Sequence, residues 1–275
     1  MMCEIEKLDH TNAAVRKEIF AFLAGSERHA LFILGNLRMN FPQSHLFVAS
    51  NLGRWLGIAG YYSIPKSIIP FSEDAGVVRA LVRYAASVHG PIEYVNGIDY
   101  AAGPAYEELL KMGYQPAGNP HQVFMEMTGL PSRQRHEASA RPLEDRDKYE
   151  IAHLLRCLSG TWNENRPLTD GEVESIGMNP LRIVVEDGNR IVATACTNGL
   201  GIRCYQILGV ATHPGFRRLG YARAAVAFLM RRMAELGGRQ AVLFTGCENT
   251  AAQQCYQRLG FDITGNYYVG KLKRL

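Results

Sequence analysis

The segment from Ile207 to Arg223 has the residue types best suited to chemistry in this chain. It reads ILGVATHPGFRRLGYAR, with Arg217 and Arg218 three and two positions before Gly220. The first N–H groups of a helix have no backbone partner, and the helix dipole places partial positive charge there. A glycine lets an anion approach the backbone, and arginines add charged donors. The segment therefore predicts a phosphate site at a helix start. It lacks the P-loop pattern, G-x-x-x-x-G-K followed by Ser or Thr.

Two predicted elements must position this site. An apolar run at 202–211 predicts a strand, and residues 219–236 predict a long helix. The apolar positions of the helix recur at i, i+3, i+4 and i+7, and they are Ala222, Ala225, Val226, Leu229, Met233 and Leu236. The turn residues His213-Pro214-Gly215 separate the strand from the helix. The phosphate site is therefore expected between the end of a strand and the start of a helix.

A second segment begins at Asn249, 32 positions after Arg217, and reads NTAAQQCYQRLGF. It predicts a helix at 249–258 that carries Tyr256, a phenol that could act in proton transfer. The neighbouring Cys255 has no histidine in a recognisable partner position, so we interpret it as a packed free thiol.

The two segments together resemble the GCN5-related N-acetyltransferases (GNAT). Arg217-x-x-Gly220-x-Ala222 is similar to the Q/R-x-x-G-x-G/A signature of that family. The run GVATHPGFRRLGYARAAV resembles the family's FR47-like branch. The second segment resembles the N-x-x-A-x-x-x-Y-x-x-x-G-F pattern. Two motifs in the right order are more specific than either alone, and the resemblance covers residues 138–275.

The resemblance implies that acetyl-CoA is the acetyl donor, and the lack of metal-ligand spacing among the histidines predicts no metal. In the family the first segment binds the pyrophosphate of acetyl-CoA. The strand before it supplies a backbone N–H, here that of Val210, to the thioester carbonyl. Tyr256 would protonate the CoA thiolate. The residues implied in donor binding are Val210, Ala211, Thr212, Arg217, Arg218, Leu219, Gly220, Tyr221, Ala222 and Asn249.

The resemblance leaves the general base open. Many members of the family have a glutamate on the strand before the phosphate loop, whereas residues 202–211 contain no carboxylate. The base is then a water molecule or a glutamate from elsewhere, such as Glu164. Residues 159–174 lie where the family shapes its acceptor site, which makes Trp162 and Glu164 candidate substrate contacts. A polar surface loop is an equally good interpretation.

The chain also contains an internal repeat. Hairpin turns are predicted at 51–53 and 187–189, and they are followed by Arg54 and Arg190 at matching places. Residues 97–114 are similar to 246–261, although two alignments compete and leave the first-half partner of Tyr256 ambiguous. Where the second half has its phosphate loop, the first half reads SIIPFSEDAGVVRAL. Its Glu73 and Asp74 would repel a diphosphate, so we expect no CoA site in this half.

The repeat predicts two tandem GNAT-like domains in a mixed α/β fold. Each domain has a central mixed, largely antiparallel sheet flanked by helices. The polar, small-residue segment at 129–140 predicts a linker. The expected division is a degenerate domain at 1–130, a linker at 131–137 and an acetyltransferase domain at 138–275. Two final strands are expected near 261–264 and 267–272.

Composition excludes several other classes. The chain has 275 residues, of which 47% are hydrophobic and 20% charged, and its net charge is +4. This mild charge does not indicate a nucleic-acid partner. The longest apolar run has seven residues, whereas a membrane span needs about 20, so no membrane partner is expected. The N-terminal residues show no secretion signal, and the six scattered cysteines suit a reducing cytoplasm. The eight histidines show no metal-ligand spacing.

The expected function is transfer of the acetyl group of acetyl-CoA to a primary amine of a small-molecule acceptor. Two alternatives remain open at this point. One is a CoA-binding sensor or interaction module without catalysis, and the other is transfer of a longer acyl group. A monomer or a homodimer is expected.

Overall fold

The computed structural model describes residues 3–41, 43–158, 166–178 and 181–274. The chain forms two compact units, and neither is continuous in sequence. Unit 1 comprises Met1–Phe124, Phe244–Glu248 and Ile263–Leu275, and unit 2 comprises Met125–Leu243 and Asn249–Asp262. The sequence-based division instead assigns both C-terminal segments of unit 1 to the second domain.

Helices and strands alternate along the chain. The first part contains β1 (Glu4–Leu8), α1 (Ala13–Leu23), α2 (Leu31–Arg38), β2 (Ser44–Asn51), β3 (Arg54–Tyr62), β4 (Ser67–Phe71), α3 (Ala75–His89), β5 (Tyr94–Ile98), α4 (Asp99–Lys111), β6 (Tyr114–Pro116) and β7 (His121–Thr128). The second part contains β8 (Ala140–Pro142), α5 (Lys148–Leu155), α6 (Asp170–Glu174), β9 (Leu181–Asp187), β10 (Arg190–Leu200), β11 (Cys204–Thr212), α7 (Tyr221–Glu235), β12 (Gln240–Gly246), α8 (Thr250–Gln257) and β13 (Asp262–Arg274).

Each unit is built on a mixed sheet. In unit 1 the strand order is β1-β2-β3-β4-β5-β13, with β6 also paired to β13, and in unit 2 it is β12-β11-β10-β9-β8. The pairings β4–β5 and β11–β12 are parallel. The remaining described pairings within these two sheets are antiparallel. The predicted mixed α/β class with largely antiparallel sheets and flanking helices is confirmed.

The core of unit 2 follows the apolar periodicity of its helices. On one side, α5 packs onto β9, β10 and β11 through a cluster that includes Ile151, Leu154, Val184, Ile191 and Ala211. On α7, the buried side chains include four of the six apolar positions that the sequence pattern selected: Ala225, Val226, Leu229 and Met233. These contacts remove apolar surface from water and so hold the two elements that border the predicted phosphate site.

One strand differs from its prediction. The two short strands expected near 261–264 and 267–272 are a single strand, β13. Residues Tyr267–Lys271 of β13 pair with Tyr94–Ile98 of β5. The strand runs through Gly265 and Asn266, residues that by themselves favour a turn, and its ladder with β5 begins at the next residue, Tyr267.

Among the residues that the structure describes, every helix is too short or too polar to cross a lipid bilayer. All six cysteines are free thiols.

Candidate functional site

Strand β11 is interrupted by a bulge where the sequence analysis places its backbone donor. Thr194 of β10 is opposite Ala211, whereas Cys196 is opposite Leu208. Ala195 therefore faces both Gly209 and Val210, which is the two-against-one count of a β-bulge. Bulges disrupt the ladder locally and re-aim backbone groups. The bulge can therefore direct the backbone N–H of Val210 towards a group outside the sheet.

Glycine is required at the first bulge position for two reasons. Gly209 has φ +58°, in the left-handed region that L-residues with a side chain avoid. A Cβ built there would lie 2.9 Å from Cys196 Sγ and 3.4 Å from Arg182 Nη1. The sequence analysis did not predict this bulge, although a glycine inside a strand pattern is a known signal for one.

The parallel pairing of β11 with β12 ends before the bulge. The register with β12 covers Cys204–Gln206 opposite Gln240–Val242. Val210, Ala211 and Thr212 follow that paired stretch and end the strand. Parallel strands with a crossover helix bind ligands at their carboxyl ends, so these residues stand where a ligand would meet β11.

The turn after β11 is built by His213. Its Nδ1 accepts a hydrogen bond of 3.1 Å from the N–H of Gly215, which caps a short 3-10 turn at Pro214–Phe216. Arg217, Arg218 and Leu219 follow and are exposed. Arg217 Nε donates to the carbonyl oxygen of Thr212 at 3.4 Å, so this guanidinium lies next to the end of the strand.

Helix α7 begins without a side-chain cap. Its N-cap residue is Gly220, with φ +97° and ψ 0°. Because glycine has no side chain, it cannot accept hydrogen bonds from the first N–H groups of the helix as Ser or Asp would. The guanidinium of Arg223 folds back towards this point, with Nη2 3.3 Å from the position of a Cβ on Gly220. Arginines and helix N–H groups together can bind an oxyanion here by donating hydrogen bonds to it.

Arg218 has a backbone conformation that is unusual for its type. Its φ is +67°, which costs a residue with a side chain about 1–2 kcal/mol. Backbone strain of this kind is often found at ligand sites. Here the strained residue belongs to the loop between β11 and α7.

Tyr256 and Asn249 belong to α8 of the same unit. Tyr256 is 8% exposed, and its ring packs edge-on to Phe261 with centroids 6.0 Å apart. Burial raises the pKa of its phenol, so the hydroxyl is protonated at neutral pH and is a hydrogen-bond donor. Asn249 is the N-cap of α8, and its Oδ1 accepts from the N–H of Ala252 at 3.2 Å. The side-chain oxygen of Asn249 therefore stabilises the start of α8.

The polar residues of β11 are used within the sheet. Tyr205 is 2% exposed, and burial raises the pKa of its phenol. Gln206 accepts a hydrogen bond of 2.8 Å from Asn198 through its side-chain oxygen. The two candidate acceptor contacts, Trp162 and Glu164, lie outside the described residues.

Unit 1 has the same order of elements without the same chemistry. Helix α3 follows β4 as α7 follows β11, and both helices have 15 residues. In unit 1, however, Asp74 caps the helix, and its Oδ1 accepts from the N–H groups of Gly76 at 2.7 Å and Val77 at 3.2 Å. The helix donors that an anion would use are thus bonded to a carboxylate.

The strand before this helix differs as well. The register of β3 with β4 runs one-to-one from Ile58–Phe71 to Tyr62–Ser67, without the two-against-one step of β11. Pro70 in β4 also lacks a backbone N–H.

Unit 2 also has a pocket that the sequence motifs did not predict. Its volume is about 260 Å³, and its walls come from α5, β10 and the turn after β11. Glu150 accepts from the N–H of Ile191 at 2.8 Å, and Arg190 Nη2 lies 2.6 Å from His213 Nε2. These side chains come from three separated segments, so no local pattern could have indicated them.

The segment predicted as a linker, residues 131–137, is part of unit 2. Its His136 stacks on Tyr221, the first residue of α7, with ring centroids 4.0 Å apart. No motif in the sequence indicated this contact. Within the described ranges, no group of three or more His, Cys, Asp or Glu side chains is placed to hold a metal ion.

Comparison with known proteins places a family match on unit 2. Residues 149–261 match the model of the acetyltransferase (GNAT) family. The matched segment is less than half of the chain. No curated protein matches the chain at a significant level.

Solved structures resemble the whole chain in fold. A GCN5-related N-acetyltransferase from Sphaerobacter thermophilus has 17% identity and a TM-score of 0.62, with 98% of this chain and 95% of that chain covered. A Drosophila protein has 11% identity and a TM-score of 0.65, with 98% and 99% covered. A tandem GNAT protein from the clavulanic acid biosynthesis pathway, solved without AcCoA, has 12% identity and a TM-score of 0.57, with 99% and 98% covered. The tandem GNAT-like fold predicted from the repeat is confirmed.

Proposed function

We propose that this protein transfers the acetyl group of acetyl-CoA to a primary amine of a small-molecule acceptor, in unit 2. The observation that carries the proposal is the Gly220 start of α7, which has no side-chain cap, directly after a bulged strand and two exposed arginines. The GNAT match at 149–261 includes all of these features, and acetyl-CoA is the acyl donor used by that family.

The residues present fit a donor with a diphosphate. Arg217, Arg218 and the N–H groups at the start of α7 would bind its phosphoryl oxygens, together with the neighbouring Leu219, Tyr221 and Ala222. Val210, Ala211 and Thr212 would lie along its pantetheine arm. Asn249 would contribute through its amide nitrogen, since its oxygen caps α8. The donor supplies the activated thioester.

In the proposed reaction, the neutral amine forms a bond to the carbonyl carbon, and the carbon–sulfur bond breaks. The Val210 N–H would stabilise the carbonyl oxygen as negative charge develops on it. The phenol of Tyr256 would give its proton to the departing thiolate. The proton lost by the amine goes to water, or to a base from the acceptor region, for which Glu164 is the candidate. A free alkylamine has a pKa of about 10, so this deprotonation is a real part of the barrier.

The donor assignment predicts one acetyl-CoA per chain, bound through Arg217 and Arg218. Titration calorimetry on the full chain should give a stoichiometry of one, because in unit 1 Asp74 occupies the helix donors. Replacing both arginines by Ala should weaken binding by at least about 100-fold, since each hydrogen bond between charged groups contributes about 1.5–3 kcal/mol when well formed and about 1.4 kcal/mol corresponds to a factor of ten. Arg54→Ala with Arg146→Ala removes the same charge elsewhere and should leave the affinity unchanged. Equal affinities for all three proteins would refute the phosphate-site assignment.

Arg218 allows stability and binding to be separated. Arg218→Gly should raise the free energy of unfolding by up to about 1 kcal/mol, because glycine adopts φ +67° without strain. The same change should lower the affinity for acetyl-CoA. Thermal unfolding without ligand and calorimetry with ligand measure the two effects. A variant that is more stable and binds as tightly as the original protein would show that the strained conformation does not serve the donor.

The acceptor is testable with a panel of amines and a thiol-detecting assay. Thiol release that depends on an added amine supports the enzyme, and comparison of acetyl-CoA with longer acyl-CoA esters sets the acyl length. Donor binding without thiol release for any amine would favour the alternative of a CoA-binding sensor.

A further inference from the structure

We infer that residues 131–137 form a rigid clamp on α7, and that its His136 donates a hydrogen bond to a phosphoryl oxygen of the acyl donor. The inference rests on the proposed donor site at Gly220. It adds a donor from the segment that joins the two halves of the sequence.

The clamp is fixed by a buried ion pair. Glu137 is 5% exposed, and its carboxylate accepts from Arg231 Nε on α7. The same guanidinium donates through Nη2 to the carbonyl oxygen of Pro131 at 3.0 Å. One arginine thus holds both ends of the segment. Bonds of this kind between a planar guanidinium and a carboxylate fix orientation as well as distance.

The segment is also bonded to itself. Glu137 Oε2 accepts from the N–H of Gln134 at 2.9 Å, and the N–H of Glu137 donates to the carbonyl oxygen of Gln134 at 3.1 Å. Burial acts to raise the pKa of Glu137, but the hydrogen bonds from Arg231 and Gln134 outweigh it and leave the pKa lowered. The carboxylate therefore stays ionised at neutral pH and keeps its ion pair with Arg231.

The clamp delivers His136 to the start of α7. Its ring stacks on Tyr221 at a centroid distance of 4.0 Å and an angle of 26°. Its Cδ2 lies 3.9 Å from the position that a Cβ on Gly220 would occupy. The imidazole edge is thus in van der Waals range of the space that a side chain at position 220 would fill, next to the helix N–H groups that an oxyanion would meet.

A neighbouring residue of the clamp adds positive charge. Burial and a hydrogen bond with Asp187 raise the pKa of Tyr221, and the charge of Arg135 acts in the opposite direction, so a carboxylate and a guanidinium both lie within electrostatic range of the Tyr221 phenol. Arg135 is exposed. A site that already has Arg223 beside Gly220 therefore gains an imidazole from residues 131–137, while the charges of Arg135 and Asp187 near Tyr221 oppose each other.

The chemistry suits a phosphate. An imidazole N–H is a hydrogen-bond donor in the neutral as well as the charged form of the ring. A donor held in place before binding loses less conformational entropy when the ligand arrives. A flexible linker could not supply that advantage, whereas a segment held by Arg231 can. The phosphoryl oxygen belongs to the diphosphate or to the 3′-phosphate of CoA, and the test below separates the two.

The test compares His136→Ala with the original full chain by calorimetry, using CoA, 3′-dephospho-CoA and pantetheine. We expect His136→Ala to weaken CoA binding about tenfold, the effect of one hydrogen bond to a charged group, and to leave pantetheine binding unchanged. A loss for both CoA and 3′-dephospho-CoA assigns the contact to the diphosphate, and a loss for CoA alone assigns it to the 3′-phosphate. His121→Ala, which removes a ring packed on Tyr268 in unit 1, is the control and should change none of the affinities.

Two results would overturn the inference. One is unchanged CoA affinity in His136→Ala while the Arg217 and Arg218 variants lose affinity, in which case the proposed donor site stands and the clamp is only structural. The other is an equal loss for pantetheine, which has no phosphate. If the original protein itself does not bind CoA, the proposed function fails first, and this outcome is distinct from both.

Arg231 tests the positioning step. Arg231→Gln should lower CoA affinity by the same factor as His136→Ala, and the double variant should show no further loss, because both changes remove the same contact. Thermal unfolding measures the structural cost of Arg231→Gln separately. A lower melting temperature with unchanged CoA affinity would contradict a positioning role for Arg231.

Discussion

Replacing Tyr256 by Phe is expected to lower kcat for acetyl transfer by about 10²–10⁴-fold, the usual contribution of a general acid. The Phe ring keeps the packing on Phe261 and the buried volume, so the affinity for acetyl-CoA should change by less than about twofold. Burial raises the pKa of Tyr256, so the missing group is a protonated hydroxyl throughout the neutral range. Steady-state kinetics with a responsive amine and calorimetry with CoA measure the two quantities.

Tyr205→Phe is the matched control for this prediction. Tyr205 is a buried tyrosine of the same unit, and burial likewise raises the pKa of its phenol. It lies within the paired part of β11, before the bulge. Its variant should keep kcat. A Tyr256→Phe protein with full turnover would remove Tyr256 from the reaction and leave protonation of the thiolate to water.

The elements that the sequence predicted well are those determined by local patterns. Helix α7 has an apolar stripe with a period of 3.6 residues, and a turn precedes it. The hairpins β2–β3 and β9–β10 have polar turns with glycine, where a two-residue loop suits the twist of the strands. In each case residues close in sequence carry the information, so the pattern alone was enough to place the arginines before a helix start.

Features that depend on distant residues were not predictable in this way. The C-terminal part of β13, Tyr267–Lys271, pairs with β5, about 170 positions earlier, so its strand context is set by residues far away in the sequence. The bulge at Gly209 depends on the register between β10 and β11. The clamp depends on Arg231, which is nearly 100 positions from Glu137. The sequence shows that Arg231 is a charged residue on a helix, but it does not show that its partner, Glu137, belongs to a segment that resembles a linker.

The two units have a similar order of elements, but they differ in the residue at the start of the helix. Both place a helix after the strand that has a parallel neighbour. In unit 2 the helix starts at Gly220, which leaves its donors to a ligand. In unit 1 it starts at Asp74, whose carboxylate accepts from the same kind of donors. The carboxylate of Asp74 satisfies two N–H groups of its helix, whereas the start of α7 has no side-chain cap and its N–H groups take partners from outside the helix. This difference, rather than the overall charge, supports one donor site in a chain with two similar folds.

Gly209→Ala is expected to have the second large effect, on both stability and rate. A methyl group at φ +58° costs about 1–2 kcal/mol in backbone strain, and its position 2.9 Å from Cys196 Sγ adds an overpacking cost of about 1–3 kcal/mol. If the bulge shifts, the Val210 N–H loses the position in which we propose that it stabilises the carbonyl oxygen, and kcat should fall about 10²–10³-fold. Chemical denaturation and steady-state kinetics measure the two effects.

Gly188→Ala separates strain from overlap. Gly188 has φ +61°, and a Cβ there would have no neighbour within 4 Å. Its variant should therefore show the strain alone, about 1–2 kcal/mol, with unchanged kcat. Cys196→Ala combined with Gly209→Ala removes the overlap and should recover part of the lost stability, but not the part due to φ. If Gly209→Ala costs no more stability than Gly188→Ala and keeps kcat, the bulge does not set the position of the Val210 N–H. If it costs stability and keeps kcat, the bulge is needed for folding, and the oxyanion must be stabilised by another group.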